Sequence, residues 1–208
     1  MKETAERLRV EAQRLFAELG YAGTSVRAIC KAAEANVNAV SYHFGGKQAL
    51  YQRILSRVAD DRLESAQRIL GEAPRSAEQL HGRLLLFAEE TLAAHMREPE
   101  LLRILYAETQ QGFRNCDPGA LQDLGKHLEV LVAFLDAARR RSLLRKGVDI
   151  DIVAGTLLER LNNQVHFIEL IEASYGTSIR DPKYRRHWTR QTIDLLLYGA
   201  ARAPLEEP

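Results

Sequence analysis

A short stretch in the N-terminal quarter of the chain carries side chains that suit contact with nucleic-acid bases. Asn38 has a carboxamide, which can pair with N6 and N7 of one adenine, and its neighbours Val37 and Ala39 can touch thymine methyl groups. Tyr42 and His43 would follow about one helical turn later, where they would reach a phosphate or a flanking base. This spacing is typical of a helix that reads a DNA groove.

Three further positions suit contact with phosphate, because they open predicted helices. The unpaired N–H groups and the positive dipole end of a helix N-terminus attract anions. Thr24 or Ser25 can cap one helix and Lys47 begins another, so we expect backbone contacts with phosphates at all three. Asn36 has two open interpretations, a helix cap or a DNA contact.

The elements that would position these residues are helices. Apolar residues recur at helical spacing along nearly the whole chain, and no alternating β pattern competes. Predicted helices end at Gly20 and Gly45, and between them a second helix begins near Ser25 and a third near Asn36. Three short helices before a long fourth one predict a helix-turn-helix domain over residues 1–57, which includes the start of that fourth helix.

Residues 58–208 continue the helical pattern as a larger body. The Gly, Pro and Ser residues within 71–76 interrupt it and predict a hinge. Five helices are expected beyond the hinge, over residues 76–97, 100–111, 118–145, 150–175 and 183–200. The expected fold class is all-α, with a three-helix DNA-binding domain, a C-terminal helical bundle and about nine helices in total.

Composition and charge exclude several classes of protein. With 46% hydrophobic residues, the chain can bury a core without disulfides or metal ions, and Cys30 and Cys116 match no metal-ligand spacing. No apolar run approaches the roughly 20 residues of a membrane helix, and the N-terminus lacks an export signal, so we expect a cytoplasmic protein with no membrane partner. Up to Arg57, nine basic residues outnumber five acidic ones, which is compatible with DNA binding.

Enzymatic motifs are missing from the sequence. It contains no Gly-x-Ser-x-Gly, phosphate-binding glycine loop or His-Glu-x-x-His pattern. His166 and Glu169 have the i,i+3 spacing of a metal-ligand pair, but no second pair complements them. We therefore expect no enzyme activity, no metal and no cofactor.

One string of residues resembles a known family over residues 4–57. Its members are Leu15-Phe16, Gly20-Tyr21, Thr24-Ser25-Val26, Ile29, Ala32-Ala33, Val40, Tyr42-His43-Phe44-Gly45-Gly46-Lys47 and Leu50-Tyr51. Residue types and spacings together resemble the DNA-binding domain of the TetR (tetracycline-repressor) family of transcriptional regulators. The resemblance implies that DNA is contacted by the positions listed next: Thr24, Ser25, Asn36, Val37, Asn38, Ala39, Ser41, Tyr42, His43 and Lys47.

Three positions depart from the family pattern. Family members usually have glycine in place of Glu34 and alanine in place of Cys30, and they tend to have a bulky residue in place of Ser41. We expect a differently shaped turn and a smaller base-reading surface. The main alternative function follows from the same departures: a protein-interaction module of the same fold, with weak or no DNA binding.

The body is expected to dimerise and to sense a ligand, as the resemblance implies. Two helices, at about residues 150–175 and 183–200, would form a four-helix bundle with a second copy, and the first of them is apolar on too many faces for one small core. A seam buried inside one subunit is the alternative. Apolar and polar candidates for an effector pocket are His95, Met96, Tyr106, Phe113, Phe134, Asn162, Asn163, His166 and Phe167.

These observations together predict a homodimeric, ligand-responsive repressor that binds a pseudo-palindromic double-stranded DNA operator and is released by a small molecule.

Overall fold

The computed structural model describes residues 2–199, and within that range the chain forms ten α-helices and no strand. The helices are α1 (Lys2–Gly23), α2 (Val26–Ala32), α3 (Ala39–Phe44), α4 (Lys47–Leu70), α5 (Ala77–Arg97), α6 (Pro99–Gln110), α7 (Pro118–Arg140), α8 (Ile150–His166), α9 (Ile168–Tyr175) and α10 (Pro182–Tyr198). The predicted all-α fold is confirmed. The expected count of about nine helices is one too few for the described residues.

The additional helix arises where the sequence predicted one helix over residues 150–175. Phe167 has φ −98° and ψ 20°, and it separates α8 from α9. Its N–H still bonds to the Asn163 carbonyl at 2.9 Å, so the interruption is one residue long. No glycine or proline marks the position, which is why helical periodicity did not reveal it. Residue 200, the predicted end of the last helix, lies outside the described residues.

The first compact unit comprises the chain up to Leu63 together with Arg97–His127. Within it, α6 packs along α1, and Ile104 of α6 belongs to the same buried cluster as Phe16 of α1 and Tyr51 of α4. The Phe16 and Tyr51 rings meet edge to face with centroids 4.8 Å apart. This unit is therefore larger than the segment 1–57 that the sequence marked as a domain.

The second compact unit comprises Glu64–Met96 and the chain from Leu128 onward. In it, α8 contacts both α9 and α10. His81 of α5 bonds to the Asp194 carboxylate of α10 at 2.7 Å, and the Arg160 guanidinium of α8 lies over the Trp188 ring of α10. These contacts join α5, α8 and α10 into one packed body.

Within residues 2–199, no helix has both the length and the apolar character required to cross a membrane.

Candidate nucleic-acid interface

The turn between α2 and α3 is closed by two backbone hydrogen bonds. The N–H of Ala35 bonds to the Cys30 carbonyl at 2.8 Å, and the N–H of Glu34 bonds to the Lys31 carbonyl at 3.2 Å. This pair of bonds defines a Schellman motif, in which a left-handed residue follows the helix. Glu34 is that residue, with φ +51°, a conformation that costs a residue with a side chain roughly 1–2 kcal/mol. The turn thus has a geometry that glycine adopts with less strain.

The helix α3 is anchored on one side and exposed on the other. Val40 is fully buried, and Phe44 is partly buried against the same core cluster. Gly45 follows the helix with φ +81° and bonds back to the Ser41 carbonyl, which ends it. On the outer side Ser41 is exposed and Tyr42 is 75% exposed. An aromatic ring so far out of the core contributes little to folding, so its role lies at the surface.

The turn that leads into α3 is organised by Asn36. Its Oδ1 accepts a hydrogen bond from the N–H of Asn38 at 2.9 Å, and its carbonyl accepts one from the N–H of Ala39 at 2.8 Å. Asn38 is the N-cap residue of α3 but makes no side-chain capping bond, and it is exposed together with Val37. The Asn36 side chain is thus committed to the turn, whereas the Asn38 carboxamide faces solvent.

Tyr42 and His43 extend this surface toward the end of α3. Their rings meet edge to face with centroids 4.9 Å apart, and His43 is partly buried. The structure therefore places seven of the predicted DNA contacts on α3 and the turn before it: Asn36, Val37, Asn38, Ser41 and Tyr42 are exposed, and Ala39 and His43 are partly buried.

Thr24 has a different place from the one that the sequence suggested. Its side chain is only 1% exposed, and its hydroxyl donates to the carbonyls of Leu15 at 3.0 Å and Gly20 at 2.9 Å. Ser25 is the exposed N-cap of α2, and its Oγ accepts a hydrogen bond from the N–H of Ala28 at 3.1 Å. The Thr24 hydroxyl therefore fastens the end of α1 to the start of α2, while the predicted phosphate contact at this helix start stays a prediction.

Lys47 also turns inward. Its ammonium donates to the carbonyls of Tyr21 at 2.7 Å and Thr24 at 2.8 Å, and it lies 4.2 Å from the centre of the Tyr21 ring. Burial lowers the pKa of this ammonium below the usual lysine value. Two of its three N–H donors are thus used within the molecule and tie α4 to the turn that precedes α2, while the predicted phosphate contact at Lys47 stays a prediction.

Residues of α6 and of the turn after it form hydrogen bonds with side chains near the start of α4. The Tyr51 hydroxyl donates to the buried Glu108 carboxylate at 2.6 Å, and Nδ2 of Asn115 donates to the same oxygen at 2.8 Å. Burial and the adjacent Glu108 raise the pKa of Tyr51 above its ordinary value. Gln52 adds a bond from its Nε2 to the Asn115 carbonyl at 2.6 Å. The sequence did not reveal this cluster, because its members come from distant parts of the chain.

The nine candidate pocket residues are divided between the two compact units. Tyr106 and Phe113 belong to the first compact unit, and the other seven belong to the second. In the second unit His95 and Phe134 are buried, Asn163 and Phe167 are exposed, and Met96, Asn162 and His166 lie between these extremes. The buried amide of α8 is Gln164, which the sequence analysis did not select. Its position one turn after the buried Leu161 was the available signal.

Among residues 2–199, no group of three or more His, Cys, Asp or Glu side chains is arranged to hold a metal ion.

Comparisons with known proteins agree with this geometry. Residues 8–54 match the family model described as bacterial regulatory proteins, tetR family. A protein of Bacillus subtilis (strain 168), named Probable HTH-type transcriptional regulator YttP, is 29% identical over 105 residues. That match covers 50% of this chain and 50% of the relative, so it spans about half the length of the relative.

Solved structures resemble the chain over nearly its whole length. The TetR family regulator PfmR from Thermus thermophilus has a TM-score of 0.73 at 22% identity, covering 95% of this chain and 97% of its own. The regulator FadR from Bacillus subtilis, solved in complex with stearoyl-CoA, has a TM-score of 0.68 at 16% identity, with 94% and 99% covered. The ketosteroid regulator KstR2 of Mycobacterium tuberculosis has a TM-score of 0.72 at 17% identity, with 96% and 95% covered. At these identities the likeness establishes the fold alone.

Proposed function

We propose that this chain, whose residues 8–54 match the family model of bacterial regulatory proteins, tetR family, is a ligand-responsive repressor acting as a homodimer. The observation that carries the proposal is the exposed outer side of α3. Val40 is buried and anchors α3 to the core, whereas Tyr42 on the same helix is 75% exposed. Rigid support beneath exposed polar and aromatic groups is what a base-reading helix requires.

The residues of this surface divide into two roles. Asn38 is the base reader, because its exposed carboxamide can bond to adenine N6 and N7, and Val37 beside it offers an apolar contact for a thymine methyl. Tyr42 and His43 reach the phosphate backbone or a flanking base. Ser25, at the exposed start of α2, contributes to positioning rather than to sequence recognition.

A homodimer is supported by the apolar surface of the second compact unit. Ile152 of α8 is 66% exposed, Leu195 of α10 is 51% exposed, and Leu170 of α9 and Tyr198 of α10 are also exposed. Exposed apolar residues on consecutive helices mark association surfaces. A symmetric dimer through residues 150–200 would bury them and hold two copies of α3 at the spacing of two half-sites in a pseudo-palindrome.

Release by a small molecule is supported by the fold and by one structural relative. FadR from Bacillus subtilis has this fold and was solved with stearoyl-CoA bound. In this chain α4 contributes residues to both compact units, so it is a continuous element through which a change around the ligand can reach α3. Ligand binding would then favour a spacing of the two α3 helices that no longer matches successive major grooves.

The first test is a mobility shift with footprinting, using the purified protein and the intergenic DNA upstream of its own gene, at several stated salt concentrations. A scrambled fragment of the same length and composition is the control. We expect protection of a pseudo-palindrome on the native fragment only. Equal binding to both fragments, or no binding by an intact dimer, would contradict operator recognition at this site and favour the protein-interaction alternative.

A further inference from the structure

A surface cavity of the first compact unit lies between α1, α4 and the end of α3. Its volume is about 480 Å³, and the residues that line it are Ala5, Glu6, Arg9, Phe44, Arg53 and Arg57. Three of these residues are arginines and one is a glutamate, so positive charges outnumber negative ones in the lining. Guanidinium groups bind phosphates and carboxylates through pairs of parallel hydrogen bonds. The cavity therefore suits an anion.

The two arginines of α4 are the ones available to such an anion. Arg53 is exposed, and it forms no ion pair with a carboxylate of residues 2–199. Arg57 is one helical turn further along the same face of α4. Its guanidinium lies 3.5 Å from the Glu98 carboxylate and 3.7 Å from that of Asp61, whereas strong charge-assisted bonds measure about 2.7–2.9 Å. Arg57 is thus only loosely paired.

The third arginine and the glutamate of the lining neutralise each other on α1. The Arg9 guanidinium donates to the Glu6 carboxylate at 2.6 and 3.0 Å and to the Gln13 side chain at 2.8 Å. The hydrogen bond to Arg9 and, more weakly, the charge of Arg57 lower the pKa of the Glu6 carboxyl. Because Glu6 is held mainly by Arg9, the positive charge that remains unmatched in the cavity belongs chiefly to Arg53.

A row of aromatic rings connects this cavity with the exposed surface of α3. Phe44 lines the cavity, and its ring centroid lies 6.3 Å from that of His43. The His43 centroid lies 4.9 Å from that of Tyr42, which is 75% exposed. Each DNA strand carries one phosphate per roughly 3.4 Å of helix axis. A duplex in contact with Tyr42 would therefore have several phosphates within the span of these two ring contacts.

We propose that this cavity binds a phosphate of the DNA backbone beside the base-reading segment, with Arg53 as the main contact and Arg57 as a second one. The exposure of Arg53 favours a solvated polyanion over a small molecule, which proteins usually bury. Contacts of this kind fix the register of a protein on DNA without reading its sequence. The inference rests on the proposed function, because it requires α3 to lie on DNA. It adds backbone contacts in the middle of α4, beyond the helix start.

The test is a fluorescence-anisotropy titration of the full-length protein at several salt concentrations. Two duplexes are used, the intergenic fragment upstream of its own gene and a scrambled fragment of the same length. Arg53→Gln should weaken binding to both duplexes by about three- to tenfold at roughly 0.1 M salt, and it should reduce the slope of log K against log salt by about one unit. Arg57→Gln should act in the same direction but less, since Glu98 and Asp61 share its charge.

Three further variants assign the effect to the cavity. Arg53→Lys, which keeps the charge, should keep the slope. Glu6→Gln, which removes the negative charge from the lining, should tighten binding to both duplexes by about two- to fivefold. The matched control is Arg103→Gln, since Arg103 is an exposed arginine of α6 in the same compact unit and is not among the residues that line the cavity. It should bind both duplexes like the parent protein, and circular dichroism verifies that each variant is folded.

An unchanged salt slope of Arg53→Gln, or an equal loss in Arg103→Gln, would overturn the inference. Calorimetric titration with inorganic pyrophosphate tests the small-molecule alternative: Arg53-dependent binding of this probe with an unchanged DNA slope would overturn the assignment to DNA. The two duplexes keep the proposals apart. Preference for the intergenic fragment without an effect of Arg53 would refute only this inference, whereas an Arg53-dependent slope without such a preference would refute only operator recognition.

Discussion

The exposed surfaces of α3 and of α8–α10 differ in chemistry. Around α3 the outward groups are polar or amphipathic, as at Asn38, Ser41 and Tyr42, and the apolar Val40 is buried. On α8 and α10 large apolar groups such as Ile152 and Leu195 face outward instead. A surface of the first kind suits a hydrated polyanion such as DNA, whereas a surface of the second kind suits another apolar surface. The difference supports the two proposed partners, DNA and a second copy of the chain, and each half of this comparison can be tested.

The largest effect is expected from placing a charge on the apolar surface. Leu195→Asp would put one carboxylate on each side of the proposed symmetric interface. Burying one leucine is worth about 1.5–3 kcal/mol, so the loss counted over both subunits should exceed about 3 kcal/mol of dimer association. Sedimentation equilibrium measures the monomer–dimer constant directly.

The matched control is Leu86→Asp, because Leu86 is an exposed leucine of the same compact unit on α5. It should leave the association constant unchanged. If Leu195→Asp dimerises like the parent protein, the interface does not include α10.

A second test asks whether Lys47 stabilises the first compact unit or contacts DNA. Lys47→Met removes two hydrogen bonds from a charged donor to the carbonyls of Tyr21 and Thr24. The free energy of unfolding should fall by about 1.5–3 kcal/mol, measured by urea denaturation. The salt dependence of operator binding should keep its slope, since a lost phosphate contact would reduce that slope by about one unit.

Lys31→Met serves as the control, because Lys31 is an exposed lysine of α2. Its effect on unfolding should stay within about 0.5 kcal/mol. Unchanged stability of Lys47→Met together with a reduced salt slope would show that Lys47 contacts phosphate and does not stabilise the fold.

A third test removes the most exposed ring of the polar surface. Tyr42→Ala should weaken operator binding by about 1–3 kcal/mol in a mobility shift and leave the unfolding free energy nearly unchanged. The control is Tyr175→Ala, in which an equally exposed tyrosine of α9 is removed, assayed at a concentration where the protein is dimeric. Retained affinity of Tyr42→Ala would remove this residue from the DNA contact.

The smallest effect is expected at the turn between α2 and α3. Glu34→Gly should raise the unfolding free energy by about 0.5–1 kcal/mol, because glycine adopts φ +51° without the strain that a side chain imposes. The control Glu64→Gly, inside α4, should lower it by a similar amount, since glycine weakens a helix interior. Destabilisation by both changes would show that Glu34 stabilises the turn in some other way.

The sequence predicted the structure best at positions where a glycine or a capping residue acts on its immediate neighbours in the chain. Gly20 breaks the helical path with φ +71° where the sequence predicted a helix end, although α1 continues to Gly23; Ser25, one of the two predicted caps, caps α2; and Lys47 begins α4 as predicted. Glycines and capping residues act within a few positions, so a single sequence contains the whole cause. The break at Phe167 has no such local signal, and one helix was predicted there instead of α8 and α9.

The candidate site was predicted in part. The positions exposed around α3 follow from helical spacing and from the apolar Val40 on the opposite side. The inward orientation of Thr24 and Lys47 could not be predicted, because their partners are backbone carbonyls, which every residue carries and no sequence pattern marks. For the same reason residue types alone did not separate a phosphate contact from a structural tie at these positions.

By itself the sequence determined the all-α fold class, the approximate limits of the first four helices and the outward chemistry of α3, because each depends on residues close together in the chain. Only the tertiary structure decided that Glu108 of α6 fastens Tyr51 of α4, and that Lys47 of α4 donates to the carbonyl of Tyr21. Those pairs lie 57 and 26 positions apart along the chain. Their energies come from burial and proximity, which exist only after the helices have packed.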